Sequence, residues 1–403
     1  MNARPPHAAA PRTGGRGAGA NLALATAAFA LTFWAWNLVG PLSKSYTSAL
    51  DLSPTQTSLL VAVPVLVGSL GRIPVGVLTD RYGGRVMFTV LCFASIVPTL
   101  LVGLSGGSYP MLLVWGFLLG VAGTSFAVGI PFVNAWHTPD RRGFATGVFG
   151  AGMGGTALSA LLTPRLSEAL GVLGTHVAMC VALAAMGVVV WVFSRDAPEW
   201  RPSTAPALPR MGAALRLRAT WQTSLLYAIA FGGFVAFSTY LPTLLTTAYD
   251  FTQTGAGLRT AGFAAAAVVA RPIGGALSDR IGPVRVCLVS FLGTCVFAVV
   301  LALHPPTEFP AGAAFVLIAL SLGLGTGGVF ALVARLVEPA RVGTVTGLVG
   351  AAGGLGGYFP PLLMGGVYQA TGAYTIGFVL LAAVALGVAL FTSRAFAGVD
   401  RAR

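Results

Sequence analysis

The sequence predicts an all-α integral membrane protein of twelve transmembrane helices in two pseudo-symmetric six-helix bundles, and three observations predict it. Hydrophobic residues make up 56% of the 403 positions and charged residues only 9%, against roughly 25% charged in soluble proteins. Apolar runs long enough to cross a hydrocarbon core, about 20 residues each, recur along nearly the whole chain. The second half also echoes the first at an offset of about two hundred residues.

Residues 1–20 are rich in Ala, Pro, Gly and Arg with no apolar core of their own, and are expected to form a disordered cytoplasmic tail. The apolar stretch that follows is too long for a signal-peptide core and shows no processing site, so it reads as the first span. Spans of the N-terminal bundle, residues 21–194, are expected near 21–49, 54–78, 86–104, 109–136, 143–169 and 174–194. Those of the C-terminal bundle, residues 223–394, are expected near 223–249, 252–278, 284–304, 310–336, 341–370 and 373–394. Between them, residues 195–222 carry four prolines among Arg195, Arg201, Arg210, Arg216 and Arg218, a basic linker. Residues 395–403 form a C-terminal tail.

Positive charge fixes the expected orientation. Arg4, Arg12, Arg16, Arg81, Arg85, Arg141, Arg142, the linker arginines, Arg280, Arg285, Arg341, Arg394, Arg401 and Arg403 share one side, and the opposite loops hold few cations, notably Lys44 and Arg165. By the positive-inside rule both termini and the linker are cytoplasmic, as in a multi-pass protein of the cell inner (plasma) membrane. The net charge of +13 then reflects topology and anionic lipid headgroups; the arginines are scattered over short loops, which argues against nucleic-acid binding. Cys92, Cys180, Cys287 and Cys295 all fall in apolar runs and read as packing residues. No phosphate-binding loop ending in Gly-Lys-Ser or Gly-Lys-Thr, metal-spaced His/Cys cluster or nucleophile with a base is visible, so neither an enzyme nor a cofactor or metal is expected.

Two arginines inside apolar runs stand out. Arg72 begins Arg72-Ile-Pro-Val-Gly-Val-Leu-Thr-Asp80-Arg81-Tyr-Gly-Gly-Arg85, and Arg271 begins Arg271-Pro-Ile-Gly-Gly-Ala-Leu-Ser-Asp279-Arg280-Ile-Gly-Pro-Val-Arg285; in both the aspartate comes eight positions after the arginine. A charge deep in a bilayer costs from roughly 2.5 to over 10 kcal/mol, so each is expected to face the protein interior and serve function. Two buried cations call for an anion. The repeat continues where Arg141-Arg142-Gly143-Phe-Ala-Thr146-Gly147-Val-Phe-Gly150-Ala151 aligns with Arg341-Val-Gly343-Thr-Val-Thr346-Gly347-Leu-Val-Gly350-Ala351, so span 5 matches span 11. Duplicated six-span halves are how transporters build two bundles that rock about a midplane site. The glycine runs at 150–155 and 353–357 either let helices approach and slide or simply pack tightly.

The pattern Gly76-x-Leu78-x-Asp80-Arg81-x-Gly83-x-Arg85, with its degenerate echo around Asp279, resembles the loop signature of the major facilitator superfamily. Three further stretches resemble the nitrate/nitrite porter family: 63–74 (Val63-Pro64 to Arg72-Ile73-Pro74), 125–136 (Ser125-Phe126 to Trp136) and the paired glycine-rich segments of spans 5 and 11. The likeness runs over essentially the whole chain. It implies the major facilitator fold and a secondary transporter of nitrate and nitrite, in which Arg72 and Arg271 clamp the planar anion between the halves and Phe126 with span 7 aromatics walls the site. A guanidinium fork suits a trigonal oxyanion better than an ammonium does. Phe231, Phe237 and Tyr240 are candidates for the wall, with packing or lipid contact as the other reading. Gly152 and Met153 complete the expected site, and Met153 is a departure, since the family usually has an asparagine there. A thioether does not donate as an amide does, which puts the identity of the anion in question and leaves a small carboxylate as the other substrate class.

All eleven carboxylates lie at span ends, in loops or in tails, and His7, His137, His176 and His304 are likewise terminal, so no side chain is placed as a mid-membrane proton relay. Exchange of one anion for another is therefore expected, with proton-coupled uptake as the other mode, in a monomer embedded in lipid. Asp80, Arg81, Arg85, Asp279, Arg280 and Arg285, at helix ends on the basic side, are expected to latch one conformation. A membrane sensor that kept the fold is a further reading, but the short tails and linker offer no output domain.

Overall fold

The computed structural model describes residues 17–138, 141–203, 206–306 and 309–400, so the expected N-terminal tail falls almost wholly outside the described residues. Every regular element among them is helical. Ten segments are long and apolar enough to cross a membrane. Two further crossings complete the twelve. Segment Ala145–Phe193 holds spans 5 and 6, divided at Gly171 with φ 73°. Span 11 is broken into Pro339–Gly356 and Phe359–Thr371, because Pro360 and Pro361 open the second piece in the first turn, where missing N–H groups cost nothing. The remaining spans are 1, Ala18–Trp36; 2, Pro54–Tyr82; 3, Gly84–Leu104; 4, Tyr109–Trp136; 7, Arg218–Ala248; 8, Gln253–Ile281; 9, Pro283–Ala302; 10, Ala311–Leu336; and 12, Thr375–Ala395.

The helices are apolar on both faces. Phe29, Phe33, Phe231 and Phe291 are fully buried, while Phe93, Val97, Val181, Trp191 and Val296 lie at the surface, the pattern of helices whose solvent is lipid on one side and protein on the other. Span 2 starts with a capping box: Ser53 Oγ accepts from Gln56 N at 3.3 Å and Gln56 Oε1 accepts from Ser53 N at 2.9 Å, with Pro54 next. Its repeat partner, span 8, is capped by Thr252, whose hydroxyl accepts from Gly255 N at 3.1 Å.

The structure adds detail at three places the sequence marks. The run expected as span 1, 21–49, is helical only over Ala18–Trp36; a turn through Asn37, Gly40 and Pro41 leads into a short helix, Ser43–Leu50. The linker is partly ordered as a helix, Ala207–Leu215, which admits Pro209 because it sits in the first turn. Thr220 Oγ1 donates to Ala214 O at 2.7 Å and Trp221 Nε1 to Leu215 O at 2.7 Å, tying that helix to span 7. The segment after span 12 is not a free tail up to Asp400: Phe396 is buried, and the Asp400 carboxylate accepts from Val284 N at 3.4 Å and Arg285 N at 3.1 Å at the start of span 9. Asp196, just after span 6, does the same for span 3, accepting from Arg85 N at 3.2 Å. Each carboxylate fills the space beside a positive-φ glycine, Gly83 at 86° or Gly282 at 98°, where any Cβ would strike it.

The two halves meet at the end remote from the linker. Gly40 lies against the Thr239 carbonyl, Ser43 and Thr243 share a hydrogen bond of 2.8 Å, Gln253 donates to Pro41 O at 2.7 Å, and Ser58 donates to Tyr240 Oη at 3.2 Å. Toward the linker end the halves part around a cavity of about 350 Å³ that runs from Arg72 to Asp80 and Arg210.

Candidate functional site

Arg72 lines the inner end of this cavity and Arg271 lies behind it across Phe126, so that each half contributes an arginine that reaches toward the glycine segment of the other. Arg72 leaves the break in span 2 at Gly71, is buried, and donates from Nη1 to the carbonyl of Gly350 in span 11 at 2.8 Å. Arg271 of span 8 lies beside Gly150 of span 5, and its Nη1 touches the sulfur of Met153. The repeat seen in the sequence is thus a reciprocal clasp. Neither arginine has a carboxylate partner among the described residues.

Gly350 occupies one nitrogen of Arg72 and leaves an edge. Nε and Nη2, which point along the same side of the guanidinium, are buried without a hydrogen-bond partner. Buried donors are nearly always paired, and a free fork of this kind matches two oxygens of a planar oxyanion. The hydroxyl of Tyr227 in span 7 is also buried, beside Arg271 and within electrostatic reach of both guanidiniums, without a partner in good hydrogen-bond geometry.

Aromatic rings floor the site. Phe126 lies under both arginines, with its centroid 5.3 Å from Arg72 Cζ and 5.7 Å from Arg271 Cζ. Phe231 lies 5.2 Å from Arg72 and Phe330 lies 5.5 Å from Arg271. Ring faces carry negative potential and hold the cations without neutralising them, so the charge stays available to an anion. Tyr227 stacks on Phe231 at 5.1 Å and contacts Phe330 at 4.6 Å.

The glycine runs make room for this floor. A Cβ at Gly152 would strike Phe29 of span 1, and one at Gly353 would strike Tyr227 of span 7. Gly155 and Gly356 then lie on the carbonyls of Ala30 and Ala228, one residue further along the same two helices. Each run packs its span onto the first span of its own half, in repeat-related register, and the ring it admits is Phe29 in one half and Tyr227 in the other.

The expected site residues therefore divide. Arg72, Arg271, Phe126 and Met153 come together, with Phe231 beside them. Gly152 faces span 1 instead of the cavity. Phe237 and Tyr240 sit elsewhere, since the face of span 7 carrying Tyr227 and Phe231 repeats every three to four residues and Phe237 is six residues on. Phe237 packs on Phe263 and Phe315, at 5.2 and 6.1 Å, and Tyr240 belongs to the closed end, bonded to Ser58 and to Tyr374 at 3.3 Å. The sequence reading missed Tyr227 and Phe330. The spacing of Tyr227 from Phe231 on one helix face was the available signal for the first.

Of the expected latch residues, Asp80 pairs with Arg210 of the linker helix at 3.8 Å. Arg81 lies over the Tyr82 ring, and Arg85 donates to the Trp191 carbonyl from Nε at 3.0 Å and Nη2 at 2.6 Å, within its own half. Arg285 reaches back to Ile281 O at 3.4 Å, and Asp279 and Arg280 end span 8.

Comparison with known proteins agrees with this architecture. The Major Facilitator Superfamily model matches residues 25–330 and 223–402. The chain is 57% identical over 381 residues, 94% of its length and 96% of the other's, to the probable nitrate/nitrite transporter NarK2 of Mycobacterium tuberculosis H37Rv. It is 35% identical over 365 residues, 91% of each chain, to the nitrite extrusion protein of Bacillus subtilis 168. Among solved structures, a bacterial homolog of the human lysosomal transporter Spinster superposes with a TM-score of 0.75 at 18% identity, covering 94% of this chain and 98% of that one. Two arginine-bearing halves around one cavity, with the sequence likeness extending over nearly the full length, place this chain in the nitrate/nitrite porter family of the Major Facilitator Superfamily.

Proposed function

We propose that this chain carries nitrate and nitrite across the inner membrane by alternating access, exchanging one anion for another. One observation carries the reading: a buried arginine fork with a free edge, faced by a second arginine from the other half and by the buried tyrosine hydroxyl beside it. The names of the full-length relatives point the same way. The positive-inside rule puts the linker end, both termini and the open cavity on the cytoplasmic side. Asp80, Arg81, Arg85, Asp279, Arg280 and Arg285 lie at that end, where they would hold the closed state once the bundles rock together. Nothing in the mechanism requires a second copy, and the transporter is read as a monomer.

Coupling follows from charge. Two cations, Arg72 buried and Arg271 half-buried, carry about one net charge with one monovalent anion, against about two when empty, so the bundles close around substrate at lower electrostatic cost. The test uses proteoliposomes loaded with nitrite and challenged with labelled nitrate, at fixed pH and clamped potential. Uptake should require anion in the lumen. Uptake into anion-free vesicles that follows an imposed pH gradient would replace exchange with proton coupling. Met153 against Arg271 favours a second reading, a small carboxylate as substrate, and transport of formate or acetate in preference to nitrate would establish it.

A further inference from the structure

A third arginine shares the cavity with the deep site. Arg210, on the linker helix Ala207–Leu215, and Arg72 both line it, one at its mouth and one at its inner end. The linker helix is held to span 7 by the Thr220 and Trp221 bonds, so Arg210 is carried by the C-terminal half and is not on a loose strand. Its partner Asp80 comes from the N-terminal half, and the backbone of Asp80 is itself bonded to the linker, Ser203 N donating to Asp80 O at 2.9 Å.

The pair is loose. Its closest approach is 3.8 Å, and the two side chains are 46% and 43% exposed. Exposed ion pairs of this geometry contribute little, and a passing anion competes with the carboxylate for the guanidinium on nearly equal terms. A cation at the mouth of a cleft walled by low-dielectric protein also concentrates anions there.

We propose that Arg210 is a vestibule anion site: a small oxyanion entering from the cytoplasm first displaces Asp80 from Arg210, then passes inward to Arg72 and Arg271. This rests on the transport reading above. It assigns the linker helix a part in substrate capture, and Asp80 the part of an internal competitor that occupies the vestibule between anions.

The two roles give Arg210 and Asp80 opposite signs, which a purely structural ion pair would not. Everted and right-side-out vesicles should be compared, each exchanging labelled nitrate against saturating nitrite on the far side. At low ionic strength, half-saturation at the cytoplasmic face should rise severalfold in Arg210→Gln, rise further in Arg210→Glu, and stay within about twofold in Arg210→Lys. In Asp80→Asn it should fall. Half-saturation at the outer face should be unchanged in all three Arg210 variants. The difference between Arg210→Gln and the wild-type chain should shrink at ionic strengths above about 0.15 M, where the Debye length is roughly 8 Å. If Arg210→Gln and Asp80→Asn shift the cytoplasmic value in the same direction, the pair is a conformational strap and the proposal fails. It fails equally if the Arg210 series shows no order by charge. Wild-type nitrate flux in the same vesicles tests the transport reading separately: no flux there overturns that reading, while flux with unordered variants overturns only the vestibule.

Discussion

Replacing Arg72 with lysine keeps the positive charge and removes the fork, and the structure sets the size of the effect. Nη1 is committed to Gly350, so the anion has the Nε and Nη2 edge available, two donors side by side. A lysine nitrogen that keeps the Gly350 bond offers the anion one contact in place of two. A hydrogen bond to a charged group contributes about 1.5–3 kcal/mol, and each 1.4 kcal/mol is tenfold, so half-saturation for nitrate should rise by roughly 10- to 150-fold. Turnover should also fall, because a single contact no longer fixes the plane of the anion between the halves. The assay is nitrate–nitrite counterflow in proteoliposomes, with monodispersity after detergent extraction showing that the variant folds. A folded Arg72→Lys transporter with half-saturation within twofold of wild type would refute the clasp geometry, since the two N–H bonds an ammonium has left diverge from one atom and cannot reproduce the parallel Nε and Nη2 edge.

Other substitutions probe the rest of the site. Tyr227→Phe removes the buried hydroxyl beside Arg271 while leaving the stacked ring, so nitrate half-saturation should rise by roughly twofold to tenfold, the worth of one neutral hydrogen bond, with thermal stability little changed. Met153→Asn puts an amide donor where the sulfur now touches Arg271, and equilibrium binding should strengthen severalfold to about tenfold; unchanged affinity would show that the side chain contacts the arginine and not the anion. Gly353→Ala forces a methyl into the Tyr227 ring, and overpacking of this kind costs about 1–3 kcal/mol. It should lower the melting temperature and transport together, whereas Gly147→Ala in span 5, which has open space around it, should alter neither.

The fold and the arginine pair were legible because they follow from one-dimensional patterns: apolar run length, the position of charge, and recurrence at a fixed offset. Arg72 and Arg271 were conspicuous because a guanidinium in an apolar run has so few tolerable locations. What stayed hidden depended on helix rotation. Phe231, Phe237 and Tyr240 share span 7 and an aromatic character, and the azimuth of that helix and the depth along it decide that Phe231 faces Arg72 while Tyr240 meets Ser58 and Tyr374. Span 7 is apolar all round, so periodicity carries no azimuth. Gly152 was hard to place for a related reason, since the space its missing side chain leaves is filled by Phe29 of the helix packed behind it. The capping carboxylates Asp196 and Asp400 were hidden because each acts on a helix start more than a hundred residues away in sequence.

Those two carboxylates make each half a closed circuit. The chain leaving span 6 returns through Asp196 to the start of span 3, and the chain leaving span 12 returns through Asp400 to the start of span 9, where Asp400 also pairs with Arg335 at 3.8 Å. Each bundle is knotted shut by its own last residues before the polypeptide moves on. For anyone tagging the protein, the boundary is therefore Asp400 and not the end of span 12: a fusion joined at Ala395 would strip a helix start of its acceptor, worth about 0.5–2 kcal/mol by analogy with N-cap removal, whereas one joined after Arg403 leaves the circuit whole.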